Sequence, residues 1–541
     1  MRAKTIILLW STAISVGVSG CASPPAQQVS EPTATISLTI VELPPQTPLT
    51  LTSPTQAPPT DSTSPVPDPT TTLERTPSAN ETVPALSTDP HLEPGFPIEI
   101  GESPYDLPMV LGNIDNNPSQ EIVVTTGQRL ARQLLALKAD GSPVDGWPLD
   151  GEPKGMVFNP MFSLGEFSRT TPGLEVVSYL ARPDPSGYPM EWGIGIYAGS
   201  GTPLPGWPLT YPVVGSTSGR FFDPPLVVDL DGDGLDEVFA GNNLYRADGS
   251  IIPGWEGKLS RGIAGDLDQD GRPEIITNLL FTEGTQPVKA YRADGSLVTG
   301  FAPQLPQSWT NPLYPVVGDV DGDGAPEVII AFTNMHLQAA GEPHNFLAII
   351  SADGQIKHIS NYTDSPNAFS EKTNLALGDL DCDGAAEIVL QSATKLHVWR
   401  GDGSTFPGWP QDIGRINAEY SPLIGDVDGD ERADIVVLTA GPSGQPYQHE
   451  LRAYNGDGQL LSGFPKLLGY GRGATPAIAD IDQDGRNEII VAANTPPPGE
   501  HNTVWAFDLH GPGPYGAVQW GQYLGGPQHQ SYFKPGTSCS K

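Results

Sequence analysis

From residue 93 onward the chain alternates short apolar runs with clusters of Gly, Asp and Pro, and the alternation recurs in phase. Runs such as PLVV, YPVV and ATPAIA precede an acidic stretch, and runs such as EIIT, EVII and EIIVAA follow it. An aromatic run ending in Asp-Gly comes next, as in LYRADGS at 244, AYRADGS at 290, VWRGDGS at 398 and AYNGDGQ at 453. Both residues of an Asp-Gly pair tolerate positive φ, so the pair predicts a hairpin between two strands. A last run carries Gly-Trp or Gly-Phe: DGWP at 145, PGWP at 205, PGWE at 253, TGFA at 299, PGWP at 407 and SGFP at 462. Each unit thus predicts a four-stranded antiparallel meander, and amphipathic helical periodicity is absent.

A period of roughly 50 residues with four strands per unit predicts an all-β propeller, whose blades need their neighbours to bury their faces. Eight units can be counted. The segment EPGFPI at 93–98 already carries the last-strand signature, so it is predicted to close the ring by pairing in the final blade. AVQWGQY at 517–523 competes for that place, which keeps seven blades open beside eight. Trp147, Trp207, Trp255 and Trp409 hold one fixed place in the repeat and predict wedges between blades. Trp192, Trp309 and Trp505 fall outside that phase and are better candidates for ligand contact, although even such tryptophans are more often core than site.

The acidic stretch reads DLDGDGLDE at 229, DLDQDGRPE at 266, DVDGDGAPE at 319, DLDCDGAAE at 379, DVDGDERAD at 426 and DIDQDGRNE at 480. Asp at positions one, three and five, a backbone carbonyl at seven and a carboxylate at nine put hard oxygens around a small volume. A Gly at six makes the sharp turn. These are the first nine positions of an EF-hand-type calcium loop, here flanked by strands in place of helices. The candidate ligands are Asp229, Asp231, Asp233 and Glu237 in the first loop and Asp266, Asp268, Asp270 and Glu274 in the second. The third and fourth offer Asp319, Asp321, Asp323 and Glu327, then Asp379, Asp381, Asp383 and Glu387. The last two offer Asp426, Asp428, Asp430 and Asp434, then Asp480, Asp482, Asp484 and Glu488. Carboxylates this crowded repel unless a divalent cation sits among them, so up to six Ca2+ ions are expected. Mg2+ demands tighter octahedral geometry and fits less well.

Individual loops differ. Glu431 replaces the sixth-position Gly of the 426 loop, and a non-Gly residue at positive φ costs about 1 kcal/mol, so a weaker site is expected there. Two eroded relatives, NIDNNPSQE at 113 and LGEFSRTTPGLEVV from 164, complete the eight units. Pro118 forbids the usual turn in the first and the second lacks the ligands, so neither is expected to hold a strong site.

With these residues the repeat resembles the FG-GAP and VCBS repeats of bacterial surface proteins and, more distantly, the calcium-binding blades of integrin α-chain propellers. The resemblance covers residues 93–535. It implies a calcium-stabilised propeller used for adhesion or ligand binding outside the cell. Literal Phe-Gly and Gly-Ala-Pro elements are mostly absent, so it does not imply an integrin-like partner.

The N-terminus carries a different signal. Arg2 and Lys4 precede the apolar run TIILLWSTAISVGV, which is too short to span a bilayer and reads as a secretory signal over 1–20. VSGC at 18–21 resembles a bacterial lipobox, which makes Cys21 the lipidated first residue of the mature chain. Residues 22–92 are dense in Pro, Thr and Ser and have no aromatic residue, so 21–92 is expected to be a disordered linker between anchor and propeller. Residues 536–541 form a tail. Only Cys382 and Cys539 remain beside Cys21, which is no disulfide framework, although the two could pair. With 28 basic and 63 acidic residues the net charge is -35, which argues against nucleic acid as a partner and leaves the lipid anchor as the membrane contact. The expected setting is the bacterial cell envelope, outside the cytoplasm.

In a four-stranded meander the first and third turns share one face, so the acidic loops and Asp-Gly turns lie together. The opposite face carries the long connections at 178, 281, 334, 439 and 493, where a protein or glycan ligand is expected. His336, His344, His449 and His501 fall in these connections and are expected as dispersed surface histidines. Nucleophile elbow, zincin helix and phosphate-loop motifs are absent from the sequence. The expected function is a membrane-anchored adhesion or ligand-binding module. Two alternatives are a carbohydrate-active enzyme resembling propeller polysaccharide lyases, and an envelope-assembly scaffold.

Overall fold

The apolar runs on either side of each acidic stretch pair with one another, so the stretch becomes the turn of a hairpin. In the 379 unit, Asn374–Gly378 pairs antiparallel with Glu387–Gln391, which pairs in turn with Lys395–Trp399. All five residues of Glu387–Gln391 are buried. A strand covered on both faces has no solvent side, so its run is continuously apolar and does not alternate. The computed structural model describes residues 89–533 except 102–108, 116, 128–130, 152–154, 185–188, 213–223, 241–242, 256–261, 279–287, 306–313, 334–344, 363–373, 393, 415–419, 441–447, 471–474 and 495–501.

Eight antiparallel sheets follow in chain order, and each is one blade. Their innermost strands are Met109–Gly112, Val157–Gly165, Leu226–Val228, Gly262–Gly265, Val316–Gly318, Asn374–Gly378, Leu423–Gly425 and Ala477–Ala479, for blades 1 to 8. Each innermost strand lies against those of both neighbouring blades, and blade 8 returns to blade 1, so the wheel is closed. The N-terminal strand Ile98–Gly101 supplies the outer strand of blade 8 by pairing with Asn502–Phe507. The eight-blade count therefore holds, and seven is excluded.

The tryptophan wedges are in place. Nε1 of Trp147, Trp207, Trp255 and Trp409 donates across the blade boundary to the carbonyls of Gly199, Ala247, Ala293 and Gly456 respectively. The described out-of-phase tryptophans belong to the core. Trp192 is buried within blade 2, and Trp505 is buried and stacks parallel to Phe507, because both lie on strands whose two faces are covered by neighbouring blades. Neither can meet a ligand at the surface. Trp309 lies outside the described residues.

AVQWGQY has another role than the one expected. Val518–Trp520 pairs with Leu423–Gly425 at the inner edge of blade 7, and the chain then runs round the centre of the wheel. The Gln519 carboxamide accepts from the N–H of Asp379 in blade 6. The N–H of Ile478 in blade 8 donates to Gly521, and Gln522 accepts from and donates to the backbone of Leu111 in blade 1. The N–H groups of Leu164, Val227, Ala264 and Val317, in blades 2 to 5, donate to the carbonyls of Pro527, Gln528, Gln530 and Ser531. Residues 518–533 thus bond to every blade in ring order. An inner strand has one exposed edge toward the channel, and these bonds satisfy it.

His449 is buried on strand Gln448–Tyr454, edge-on to Tyr420, and is not a surface loop residue. His336, His344 and His501 lie outside the described residues, as do most of the long connections, Cys21 and the 1–88 region. Cys382 is disulfide-bonded, and its partner lies outside the described residues.

Candidate metal centres

Each acidic loop is first a set of turns. The opening aspartate caps the turn from inside: Gly232 and Gly234 N–H groups donate to the two oxygens of Asp229, and Gly322 and Gly324 do the same to Asp319. The fifth-position aspartate accepts from the seventh-position N–H, as in Leu235 to Asp233 and Ala385 to Asp383. Positive φ is needed at position four as well as six. Gln269, Cys382 and Gln483 take φ of 58°, 61° and 67° at the fourth position. Glu431 takes φ 68° at the sixth, as its sequence position predicts. Replacing it with glycine removes a backbone cost of about 1 kcal/mol, so Glu431→Gly should raise the unfolding free energy by that amount in urea titrations.

The ninth-position carboxylate is the common element. One of its oxygens accepts the second-position N–H in all six loops, at 3.0 Å for Glu237, 2.9 Å for Glu274, 3.1 Å for Glu327, 2.8 Å for Glu387, 2.9 Å for Asp434 and 2.9 Å for Glu488. The eroded units keep this clasp. Glu121 accepts from Ile114 at 2.9 Å and Glu175 from Phe167 at 2.6 Å. The 164 unit is therefore not devoid of ligand-type residues, a correction that the acidic residue opening each second strand could have signalled.

The other oxygen separates the blades into two groups. In blade 1 the Asn117 amide donates to it at 3.2 Å, and in blade 2 the Thr171 hydroxyl does. In blade 5 the Lys357 ammonium sits 2.7 Å from it. Among the described residues no donor reaches it in blades 3, 4, 6, 7 and 8. Burial, reinforced by the repulsion of the loop aspartates, pushes Glu237 and Glu274 up to about 7, Glu387 and Asp434 to about 8 and Glu488 to about 9.

The third-position aspartates complete the picture. Asp381 Oδ1 and Asp428 Oδ1 are buried with no hydrogen-bond partner. In four loops the first, third and ninth carboxylates bring oxygens within 4.8 Å of one another: Asp229, Asp231 and Glu237; Asp266, Asp268 and Glu274; Asp319, Asp321 and Glu327; Asp379, Asp381 and Glu387. In the 426 and 480 loops the ninth carboxylate feels the charges of Asp426, Asp428 and Asp430, and of Asp480 and Asp482. Buried acceptor oxygens without donors, on an all-oxygen donor set, fit a hard divalent cation. Basic side chains pair with some of them: Arg292 with Asp268 at 2.6 Å and Arg400 with Asp381 at 2.7 Å.

Blade 8 adds ligands that the motif did not include. Glu93, just before the closing strand, and Asp508, just after the third strand, bring oxygens within 4.8 Å of Glu488. Glu93 lies far from the loop in sequence and arrives with the closing strand, whereas Asp508 follows the third strand of the same blade.

Residues 266–330 and 379–437 match the FG-GAP-like repeat family, which covers most of blades 4 and 6 and the first part of blades 5 and 7. No curated protein matches the chain. Among solved structures, the chain is similar to the Vibrio cholerae biofilm matrix protein Bap1 at 13% identity and a TM-score of 0.51, over 79% of this chain and 94% of that one. It is also similar to the exotype rhamnogalacturonan lyase YesX at 15% identity and a TM-score of 0.51, over 83% of each chain. At such identities the likeness is one of fold. The chain carries FG-GAP-like repeats within an eight-bladed β-propeller.

Proposed function

We propose that the chain is a calcium-stabilised binding propeller of the bacterial cell envelope, anchored through a lipid on Cys21 and displayed on the 21–92 linker. The observation that carries the calcium reading is the set of ninth-position carboxylates with one oxygen clasped by backbone and the other open among aspartates. The loop oxygens would hold the ion, and its charge would relieve their repulsion.

Binding is favoured over catalysis by where the polar groups are spent. The acidic side chains hold turns, and residues 518–533 are spent on bonding the inner strands, so recognition is assigned to the long connections. The ligand proposed is a glycan or protein; a glycan is favoured by the biofilm matrix and rhamnogalacturonan associations of the two structural neighbours. A glycan array on the full chain, read with an assay for cleaved product, tests this. Binding without cleavage is expected, and turnover of the bound glycan would convert the reading to an enzyme. Cys21→Ser should abolish lipid labelling and release the chain from membranes.

A further inference from the structure

After the third strand of seven units, one residue stands four positions beyond the residue that precedes the turn glycine. In six blades it is apolar: Val144, Leu204, Ile252, Val298, Phe406 and Leu461. Each of these donates its N–H to the third strand of its own blade at 2.8–2.9 Å, which fixes their equivalence. In blade 8 the equivalent is Glu93, bonded the same way to Ala506 at 3.0 Å. In blade 5 it is Lys357.

Blade 5 departs from its siblings in backbone as well. Its outer strand Ile356–Tyr362 lacks the Gly-Trp or Gly-Phe turn, and the register shifts so that Lys357 is skipped between Ile356 and His358. A bulge of this kind re-aims a side chain. Here it sends the ammonium between Asp321 Oδ2 at 2.8 Å, Asp323 Oδ2 at 3.3 Å and Glu327 Oε1 at 2.7 Å. Glu327 is 1% exposed and its other oxygen already accepts from Val320, so both oxygens are engaged.

We infer that Lys357 is a tethered cation that takes the place of the metal in blade 5, so that the 319 loop holds no divalent ion. A calcium ion would need the same three carboxylates at 2.3–2.6 Å, and two cations cannot share them without strong repulsion. The two blades with eroded loops give independent support. There too a protein donor, Asn117 or Thr171, fills the second oxygen of the ninth carboxylate. Blade 5 has kept the aspartates of a metal loop and the wiring of a loop without metal.

The inference rests on the calcium reading for the sibling loops, and the test separates the two. The full chain is saturated with calcium chloride, desalted and analysed for bound metal. Wild type should hold five ions, Lys357→Met six, Asp321→Asn five and Asp231→Asn four. An ion lost on Asp321→Asn, or none gained on Lys357→Met, overturns the role given to Lys357. If wild type holds no ion, Asp231→Asn changes nothing and the calcium reading falls. Lys357 is then judged by melting in chelator, where Lys357→Met should melt below wild type, and an unchanged melting temperature overturns the inference.

Discussion

Chelation of divalent metal is expected to lower the melting temperature by about 15 °C. If each loop with an open carboxylate oxygen binds one ion, it would contribute about 2.7 kcal/mol with free calcium at a hundred times its dissociation constant. Five such loops sum to roughly 14 kcal/mol, which matches the whole stability of an ordinary domain. Dividing by an unfolding entropy of about 2.1 cal/mol/K per residue over the propeller gives the shift. A calorimetric scan with and without chelator measures it, and coincident transitions would remove calcium from the account.

The same carboxylates set the pH dependence of the metal-free protein. Glu237, Glu274, Glu387, Asp434 and Glu488 are pushed up to about 7 to 9 by burial, above their unfolded values. The native state then binds more protons than the unfolded state between those values, so stability falls as pH rises. In chelator the protein should melt higher at pH 6.5 than at pH 8.5. With calcium the order should weaken or reverse, because the ion competes with protons for the same oxygens. His529, whose complete burial holds it down to about 3, opposes this trend only weakly, since its unfolded form is half neutral at pH 6.5 and neutral by pH 8.5.

How far the sequence foretold this depends on where each signal is stored. Hairpin turns, tryptophan wedges and acidic loops repeat locally and their copies reinforce each other, although the four strands expected in every blade are three in blades 1, 3 and 4 among the described residues. Properties that arise between units were not legible. Glu93 reaches the blade 8 loop only because the N-terminal strand closes that blade. Lys357 stands out only against apolar residues in the equivalent place of six other blades, and its direction depends on a bulge. Trp505 and Trp192 break the repeat phase, which sequence reasoning linked to a ligand, yet burial between blades accounts for them. The C-terminal run looked like another outer strand because outer and inner strands share the same apolar chemistry.

That C-terminal run yields the second large expectation. Trp520 is fully buried at the centre of the wheel, beside Leu524 and Phe533 at 3% and 4% exposure. Trp520→Ala removes a large core side chain and should cost about 3–5 kcal/mol. Gln522→Ala is the finer probe. Its carboxamide imitates a strand, accepting from Leu111 N–H and donating to Leu111 C=O, both at 2.9 Å. Losing it leaves a buried donor and acceptor unpaired, at about 1–3 kcal/mol each. Equilibrium unfolding in urea reads both losses, and hydrogen exchange locates them. The amides of Leu164, Val227, Ala264, Val317 and Ile478, all bonded to the run, should exchange slowly in wild type and faster in Trp520→Ala. Chelation should instead speed exchange in the acidic loops first. If Trp520→Ala left the five amides protected and the stability unchanged, the wheel would be held by its blade-to-blade packing alone, and the chain at its centre would be a passenger.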